Sequence, residues 1–104
     1  MEETAASMVD VIYPLQGTAL PRDHRRALAE ALECLVPWLA DPAQAGVHRI
    51  NVVAGGGPTA LLSQRARLAL RVRRGRLAEL APLAGATLDV GGYALRLGDV
   101  PVVR

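Results

Sequence analysis

The sequence predicts a single α+β domain in which two helices cover one face of an antiparallel sheet. Its 104 residues suit one hydrophobic core and are too few for two. Hydrophobic residues make up 51% of the chain, mostly Leu, Ala and Val, which argues against disorder. Segments of alternating apolar residues are separated by two segments with helical spacing, the pattern of an α+β fold.

The first predicted elements are a strand, a helix and a second strand. Residues 9–15 alternate and are rich in β-branched residues, which predicts a strand ending by Gly17. Pro21 suits a first helical turn, and Pro37 followed by Asp41-Pro42 ends the predicted helix. The helix has one apolar stripe, formed by Leu28, Ala31, Leu32, Leu35 and Leu39. Residues 47–54 are predicted as the second strand, with three side chains on one face: His48, Ile50 and Val52.

Residues 62–73 are predicted as a third strand whose two faces differ in charge. One face is apolar and carries Ala66, Leu68, Leu70 and Val72. The opposite face carries four arginines, Arg65, Arg67, Arg71 and Arg73, which we call the arginine ladder. If the apolar face meets the helices, the ladder lies on the open face of the sheet, with Arg49 or Arg96 beside it.

The last predicted elements are a short helix and a hairpin. Residues 76–83 have helical apolar spacing, and Gly85 follows them. Residues 86–90 and 93–97 are two strands joined by Gly91-Gly92, a two-residue hairpin signal. The order is that of the ferredoxin-like split βαβ fold, βαββαβ plus an extra C-terminal hairpin strand. We expect residues 1–8 to be an N-terminal tail and residues 9–104 to form the single domain.

The arginine ladder has two interpretations, and the residues alone leave both open. All twelve positive side chains of the chain are Arg, so the ladder is explained equally well as an ordinary solvated face. Alternatively, guanidinium groups about 7 Å apart along a strand can contact successive phosphates of RNA. The strand lacks the aromatic residues on which bases stack, which favours contact with the RNA backbone over base stacking.

His24 is the candidate general base. The segment Leu20-Pro21-Arg22-Asp23-His24-Arg25-Arg26 places it in the first turn of the first helix among three arginines, which predicts a largely neutral imidazole near pH 7. A neutral imidazole can accept a proton from the 2′-hydroxyl of RNA. The alternative is a surface histidine that helps to cap the helix. His48 is expected to be a structural residue at the sheet edge.

Other site classes are weakly represented. Cys34 is the single cysteine and the chain has two histidines, so we expect no disulfide, no metal site and no cofactor. The loop Gly55-Gly56-Gly57 lacks the Lys-Ser or Lys-Thr of a phosphate-binding loop and is expected to be a flexible connection. The acidic N-terminus and the lack of a long apolar run predict a soluble, cytoplasmic protein with no membrane partner.

Four segments together resemble a known family: Val9-Asp10-Val11-Ile12-Tyr13-Pro14-Leu15, Leu20-Pro21-Arg22-Asp23-His24, Leu83-Ala84-Gly85-Ala86-Thr87-Leu88 and Leu95-Arg96-Leu97-Gly98. They are similar to the N-terminal ferredoxin-like half of CRISPR repeat-RNA processing endoribonucleases of the RAMP superfamily. The similarity runs from about Val9 to Val103. It implies a nuclease of antiviral defence that cleaves repeat RNA without a metal, by 2′-hydroxyl attack, and leaves a cyclic phosphate.

The resemblance also implies roles and partners. His24 matches the position at which members often carry a catalytic histidine, with Arg22, Arg25 and Arg26 holding phosphate. The expected partners are CRISPR repeat RNA and a second ferredoxin-like half or other CRISPR-associated subunits. A chain cut at the domain boundary, a split subunit and a reduced homologue all fit, so cleavage by this chain alone stays open. The alternatives are a non-catalytic RNA-binding or assembly subunit and a protein-interaction domain, for instance a homodimer.

Overall fold

The structure, a computed structural model, describes residues 7–48, 50–53, 55–63 and 65–104. Of the predicted tail, residues 1–6 lie outside this part, and the first strand begins at Met8. The elements in chain order are β1 Met8–Gln16, β2 Ala19–Pro21, α1 Arg25–Leu35, a 3-10 helix Pro37–Ala40, β3 Ala45–Val47, β4 Thr59–Leu61, β5 Arg67–Arg73, a second 3-10 helix Arg74–Leu83, β6 Thr87–Val90, β7 Tyr93–Leu97 and β8 Val102–Val103.

The main sheet is antiparallel and has the strand order β3-β5-β1-β7-β6, with β8 also pairing with β1. β1 lies beside β5 from the pair Met8↔Arg73 to the pair Pro14↔Arg67. The order of β3, β5, β1 and β7 is that of a ferredoxin-like sheet, and β6 of the β6–β7 hairpin is the additional strand. The predicted fold class is therefore confirmed.

One face of the sheet is buried beneath the helices. Val9, Val11 and Tyr13 of β1 are buried, as are Leu68, Leu70 and Val72 of β5. The helices contribute Leu28, Leu32, Leu80 and Leu83 to the same core. Tyr13 is a core residue, because only 2% of it is exposed. The other face of the sheet carries the ladder positions of β5.

The predicted second strand is wrong over most of its length. Pairing of β3 with β5 ends just beyond Val47, where the N–H of His48 donates to the carbonyl of Ala69 at 3.0 Å. The chain then leaves the sheet, so His48 is exposed while Ile50 is 1% exposed and buried in the core. The two therefore do not share a face. Val52 forms only an isolated bridge with Leu62, and the predicted end of the strand, Ala54, lies outside the described residues.

The predicted third strand, residues 62–73, is too long. Its last seven residues form β5, whereas Leu62 forms only an isolated bridge with Val52. The preceding residues Thr59–Leu61 form β4, which pairs with β2 in a small separate sheet that the sequence pattern did not predict. Between β4 and β5 the N–H of Ala66 donates to the carbonyl of Ser63 and the N–H of Arg65 to Ser63 Oγ, which closes a turn. Arg65 therefore precedes the strand instead of lying within it.

The helices are shorter or tighter than predicted. Pro37 separates α1 from the first 3-10 helix, as expected for a residue without an amide hydrogen. Leu35, assigned to the apolar stripe, is 39% exposed, and its neighbour Cys34 is also exposed. The second helix is a 3-10 helix throughout, and it contains Gly75 and Pro82, which both disfavour an α-helix. No helix within the described residues is long and apolar enough to cross a membrane.

Two further features of the sheet complete the fold. The predicted hairpin is present, and Gly91 and Gly92 join β6 to β7 with φ values of +60° and +93°, which suit a two-residue turn. The sequence did not predict β8. It continues along the edge of β1 where β7 ends, with the pairs Ile12↔Val102 and Val11↔Val103.

Candidate functional site

A groove on the open face of the sheet is the main candidate site. A cavity of about 290 Å³ has apolar walls from Ile12, Pro14 and Val102 and is bordered by Arg65 and Arg67. It continues into a wider depression that shares Ile12, Arg65 and Arg67 with it. The further lining of this depression is polar in part and includes His48, Asn51, Ser63 and Ala69. We call the two together the open-face groove.

Two members of the arginine ladder are available to a ligand. Arg65 and Arg67 are exposed, and no other group in the described part of the chain holds their side chains by a hydrogen bond or ion pair. Both border the open-face groove. A phosphate that binds there loses its hydration but gains charge-assisted hydrogen bonds from the two arginines. No hydrogen bond among the described residues has to break first.

The other two members are engaged with the protein. Arg71 Nε donates to Asp10 Oδ1 at 3.2 Å, and Arg73 Nε donates to the carbonyl of Ala43 at 3.2 Å. The hydrogen bond from Arg71 holds the pKa of Asp10 below its ordinary value, so that this carboxylate is ionised at neutral pH. Asp10, on the neighbouring strand, therefore lies beside the arginine ladder and partly offsets its charge. Of its suggested neighbours, Arg96 is exposed and lies across β1 beside Gln16, while Arg49 lies outside the described residues.

His24 is not in the first turn of the helix but at its N-cap, and it is fully buried. Its Nε2 accepts the backbone N–H of Ile50 at 3.1 Å, so the ring hydrogen is on Nδ1, which donates to the carbonyl of Pro21 at 3.1 Å. Both ring nitrogens are thus occupied, and the side chain makes no cap bond to the helix. The alternative of a surface capping residue is wrong. The role of general base stays a prediction, and in this arrangement neither nitrogen is open to a substrate.

Arg22 is engaged in bracing a loop. Its guanidinium donates to the carbonyl oxygens of Gly57 at 3.0 Å, Gly56 at 3.3 Å, Val53 at 3.4 Å and Thr59 at 3.5 Å. A phosphate would have to displace these bonds or share the group. One side chain therefore holds the glycine segment 55–57 at several points. The sequence predicted a flexible connection and did not predict these bonds.

Arg25 and Arg26 begin α1 and are both exposed. Arg26 forms a loose ion pair with Glu30, with Nε and Oε2 at 3.5 Å, and surface pairs of this kind contribute little. Together with Val47 and His48 they line a depression beside β3. The helix start and the open-face groove therefore meet at His48, which lines both.

His48 is the residue that sequence reasoning placed wrongly. Its side chain is 55% exposed on the open face, opposite Ala69 of β5, and its Nε2 lies 3.9 Å from Asp10 Oδ1. The sequence did contain a signal, since the alternation of arginines on the third strand skips position 69, where Ala leaves space for a side chain of the next strand. Among the described residues no group of three or more His, Cys, Asp or Glu lies together as a metal site would require.

Comparison with known proteins agrees with this architecture. The family model described as "Cas6 Crispr" matches residues 9–103. Over 90 residues the chain is 33% identical to a CRISPR-associated endonuclease Cas6 of Myxococcus xanthus (strain DK1622), an alignment that covers 86% of this chain. The aligned region spans only 39% of the length of that relative.

Proposed function

This chain belongs to the Cas6 family of CRISPR proteins, and from that premise we propose that it binds CRISPR repeat RNA as part of an RNA-processing endonuclease. The observation that carries the proposal is the pair of exposed, unengaged guanidinium groups of Arg65 and Arg67 on the open-face groove. Arg25 adds a third exposed cation at the start of α1. A polyanion that extends from the open-face groove past His48 to the start of α1 would meet these groups in succession.

The groove suits a sugar–phosphate backbone better than unstacked bases. Among the described residues its walls contain Ile12, Pro14 and Val102 but no aromatic side chain on which a base could stack. The cations at its border are Arg, which contacts phosphate through two parallel N–H groups. We therefore propose that the groove grips the RNA backbone and that recognition of the repeat depends largely on the shape of the RNA.

The finer part of the proposal concerns the chemistry. The RNA supplies its own nucleophile, so that attack of a 2′-hydroxyl on the adjacent phosphate forms a cyclic phosphate and releases a 5′-hydroxyl, and only proton transfer and cationic stabilisation are needed. His24, with Arg22, Arg25 and Arg26, is the catalytic set expected from the family resemblance. Arg22 and His24 are bonded within the protein in this structure, so their role requires both to be released.

A binding and cleavage assay on one RNA tests the proposal. Labelled repeat RNA from the genome that encodes the chain is titrated with the protein, with and without EDTA, while anisotropy reports binding and gel electrophoresis reports products. We expect binding that weakens steeply with salt, and a product ending in a cyclic phosphate. A labelled, uncharged polymer is the control ligand. If the protein binds the repeat RNA no more tightly than this polymer, and the binding does not depend on salt, the RNA-binding function is refuted.

A second candidate function is that of an assembly domain. Val100, Val102 and Val103 are 79%, 52% and 45% exposed, and within the described residues β8 pairs only with β1. An exposed apolar edge strand is a typical site for pairing with another chain. Light scattering of the purified protein tests this candidate, because a dimer that Val102→Lys converts to a monomer would support it.

A further inference from the structure

The arginine ladder has a gap, and the gap is occupied from the neighbouring strand. Arg67 and Arg71 lie on the same face of β5, about 13 Å apart along the strand, and Ala69 lies midway between them. A methyl group leaves the space above position 69 open. His48, directly opposite Ala69, projects onto the same face, and its imidazole faces Asp10 on β1, beyond β5.

His48 is both accessible and surrounded by cations. More than half of its side chain is exposed, and Asp10 Oδ1 lies 3.9 Å from its Nε2. It lines the depression that contains Arg25 and Arg26 and also the groove that contains Arg65 and Arg67. An anion attracted by either group of arginines is therefore brought to the imidazole.

We propose that His48 is the proton-transfer residue of the RNA-cleavage site and that the scissile phosphate lies against its imidazole, between Arg67 and Arg71. The inference rests on the proposed function and changes the residue that carries its chemistry. In the step, His48 takes the proton of the 2′-hydroxyl, the bond from O2′ to phosphorus forms and the bond from phosphorus to O5′ breaks. The released O5′ takes a proton from water of the open groove, and His48 returns its proton to solvent.

The surrounding residues have matching tasks. Arg67, which no group among the described residues holds, stabilises the charge on the phosphate, and the carboxylate of Asp10 lies beside the imidazole, 3.9 Å from its Nε2. His24 acts at a distance as a positioning residue. By accepting the N–H of Ile50, two residues beyond His48, it fixes the segment that presents His48 to the groove.

The first test separates binding from cleavage in the full chain. Wild type, His48→Ala and Ala69→Leu are assayed with labelled repeat RNA, with Ala94→Leu as the matched control, since Ala94 is an exposed alanine of β7. We expect His48→Ala to cleave at least about 100-fold more slowly with a Kd within about threefold of wild type. Ala69→Leu fills the gap and should slow cleavage similarly, whereas Ala94→Leu should not. Cleavage by His48→Ala at the wild-type rate would overturn the inference and leave the proposed function intact.

The second test does not depend on cleavage. The chain has two histidines, so the imidazole NMR signals of protein labelled with ¹⁵N-histidine distinguish His48 from His24. The probe is repeat RNA with 2′-O-methyl groups throughout, which binds but cannot react. We expect the His48 signals to shift on binding and the shift to be lost in Ala69→Leu. Binding that leaves the His48 signals unchanged would overturn the inference, whereas absence of any binding would refute the proposed function itself.

Discussion

Ile50 donates its backbone N–H to Nε2 of His24 across 3.1 Å, in a site where His24 has no exposed surface. The bond joins the start of α1 to the segment that leaves the sheet after β3. A histidine between three arginines at a helix start therefore serves first to connect two parts of the fold. Its consequences for stability and for catalysis can be separated by mutation.

Replacement of His24 by Ala should lower the free energy of unfolding by about 2–4 kcal/mol, because it leaves a buried N–H without an acceptor and opens a cavity. Urea unfolding followed by circular dichroism measures this change. His48→Ala is the matched control and should stay within about 0.5 kcal/mol of wild type, since His48 is largely exposed. Equal stability of the two variants would show that the bond between His24 and Ile50 is not important to the fold.

Replacement of Arg67 by Gln should weaken RNA binding and reduce the slope of log Kd against log salt by about one unit, the effect of one lost phosphate contact. Anisotropy titrations at several salt concentrations measure both quantities. Arg76→Gln removes the same charge from the helix side, where Arg76 stacks on Trp38 and pairs with Glu79, and should leave the slope unchanged. Equal effects of the two variants would indicate that only net charge matters.

Replacement of Asp10 by Asn should tighten RNA binding about two- to fivefold, because it removes a negative charge from the open face and weakens the interaction that engages Arg71. Asp99→Asn, an exposed change of the same kind in the segment between β7 and β8, is the control. The measurement is the Kd at low salt. Weaker binding by Asp10→Asn than by wild type would contradict the assignment of this face to RNA.

The ion pair between Asp10 and Arg71 also predicts how the stability of the protein depends on pH. The hydrogen bond from Arg71 lowers the pKa of Asp10 from its ordinary 3.8, so the contribution of the ionised carboxylate is fully present above that value and is lost as the pH falls through the lower folded-state pKa. The difference in unfolding free energy between wild type and Asp10→Asn should therefore be constant near neutral pH and shrink in strong acid. A difference that grows toward acid pH would contradict this sign.

Replacement of Arg22 by Ala should loosen the loop around residues 55–59 with little change in RNA affinity, because the guanidinium is bonded to carbonyl oxygens of that loop. Hydrogen exchange of the loop amides measures the first effect and anisotropy the second. A large loss of affinity with unchanged hydrogen exchange would instead favour direct contact between Arg22 and phosphate.

Local patterns in the sequence were sufficient for some elements and not for others. Alternation and the Gly91-Gly92 turn identified β1 and the β6–β7 hairpin, since both signals act between near neighbours. The exposure of Arg67 also followed from alternation, whereas Arg65 is exposed in the turn that precedes β5. The path of the chain after His48 did not follow from alternation, because the backbone N–H of Ile50 bonds to His24, which is 26 residues away in sequence. The small β2–β4 sheet and β8 likewise depend on partners distant in sequence.

The candidate site shows the same division. Charge at Arg65 and Arg67 is visible in the sequence, whereas the engagement of Arg22, Arg71 and Arg73 by other parts of the chain is not. The sequence predicted an accessible His24 and a structural His48. In the structure His24 is buried and His48 is exposed. Spacing within one segment predicts which residues share a face, but accessibility is decided by the segments that pack against it.

The pairing partners of β1 also affect how the protein folds. All the strands that pair with it, β5, β7 and β8, come from the second half of the chain. Loop closure over such separations is slow, so the folding rate should be limited by long-range strand pairing more than by formation of α1. During synthesis the backbone edges of β1 remain unpaired until β5 has left the ribosome, and in that interval the nascent chain is exposed to aggregation.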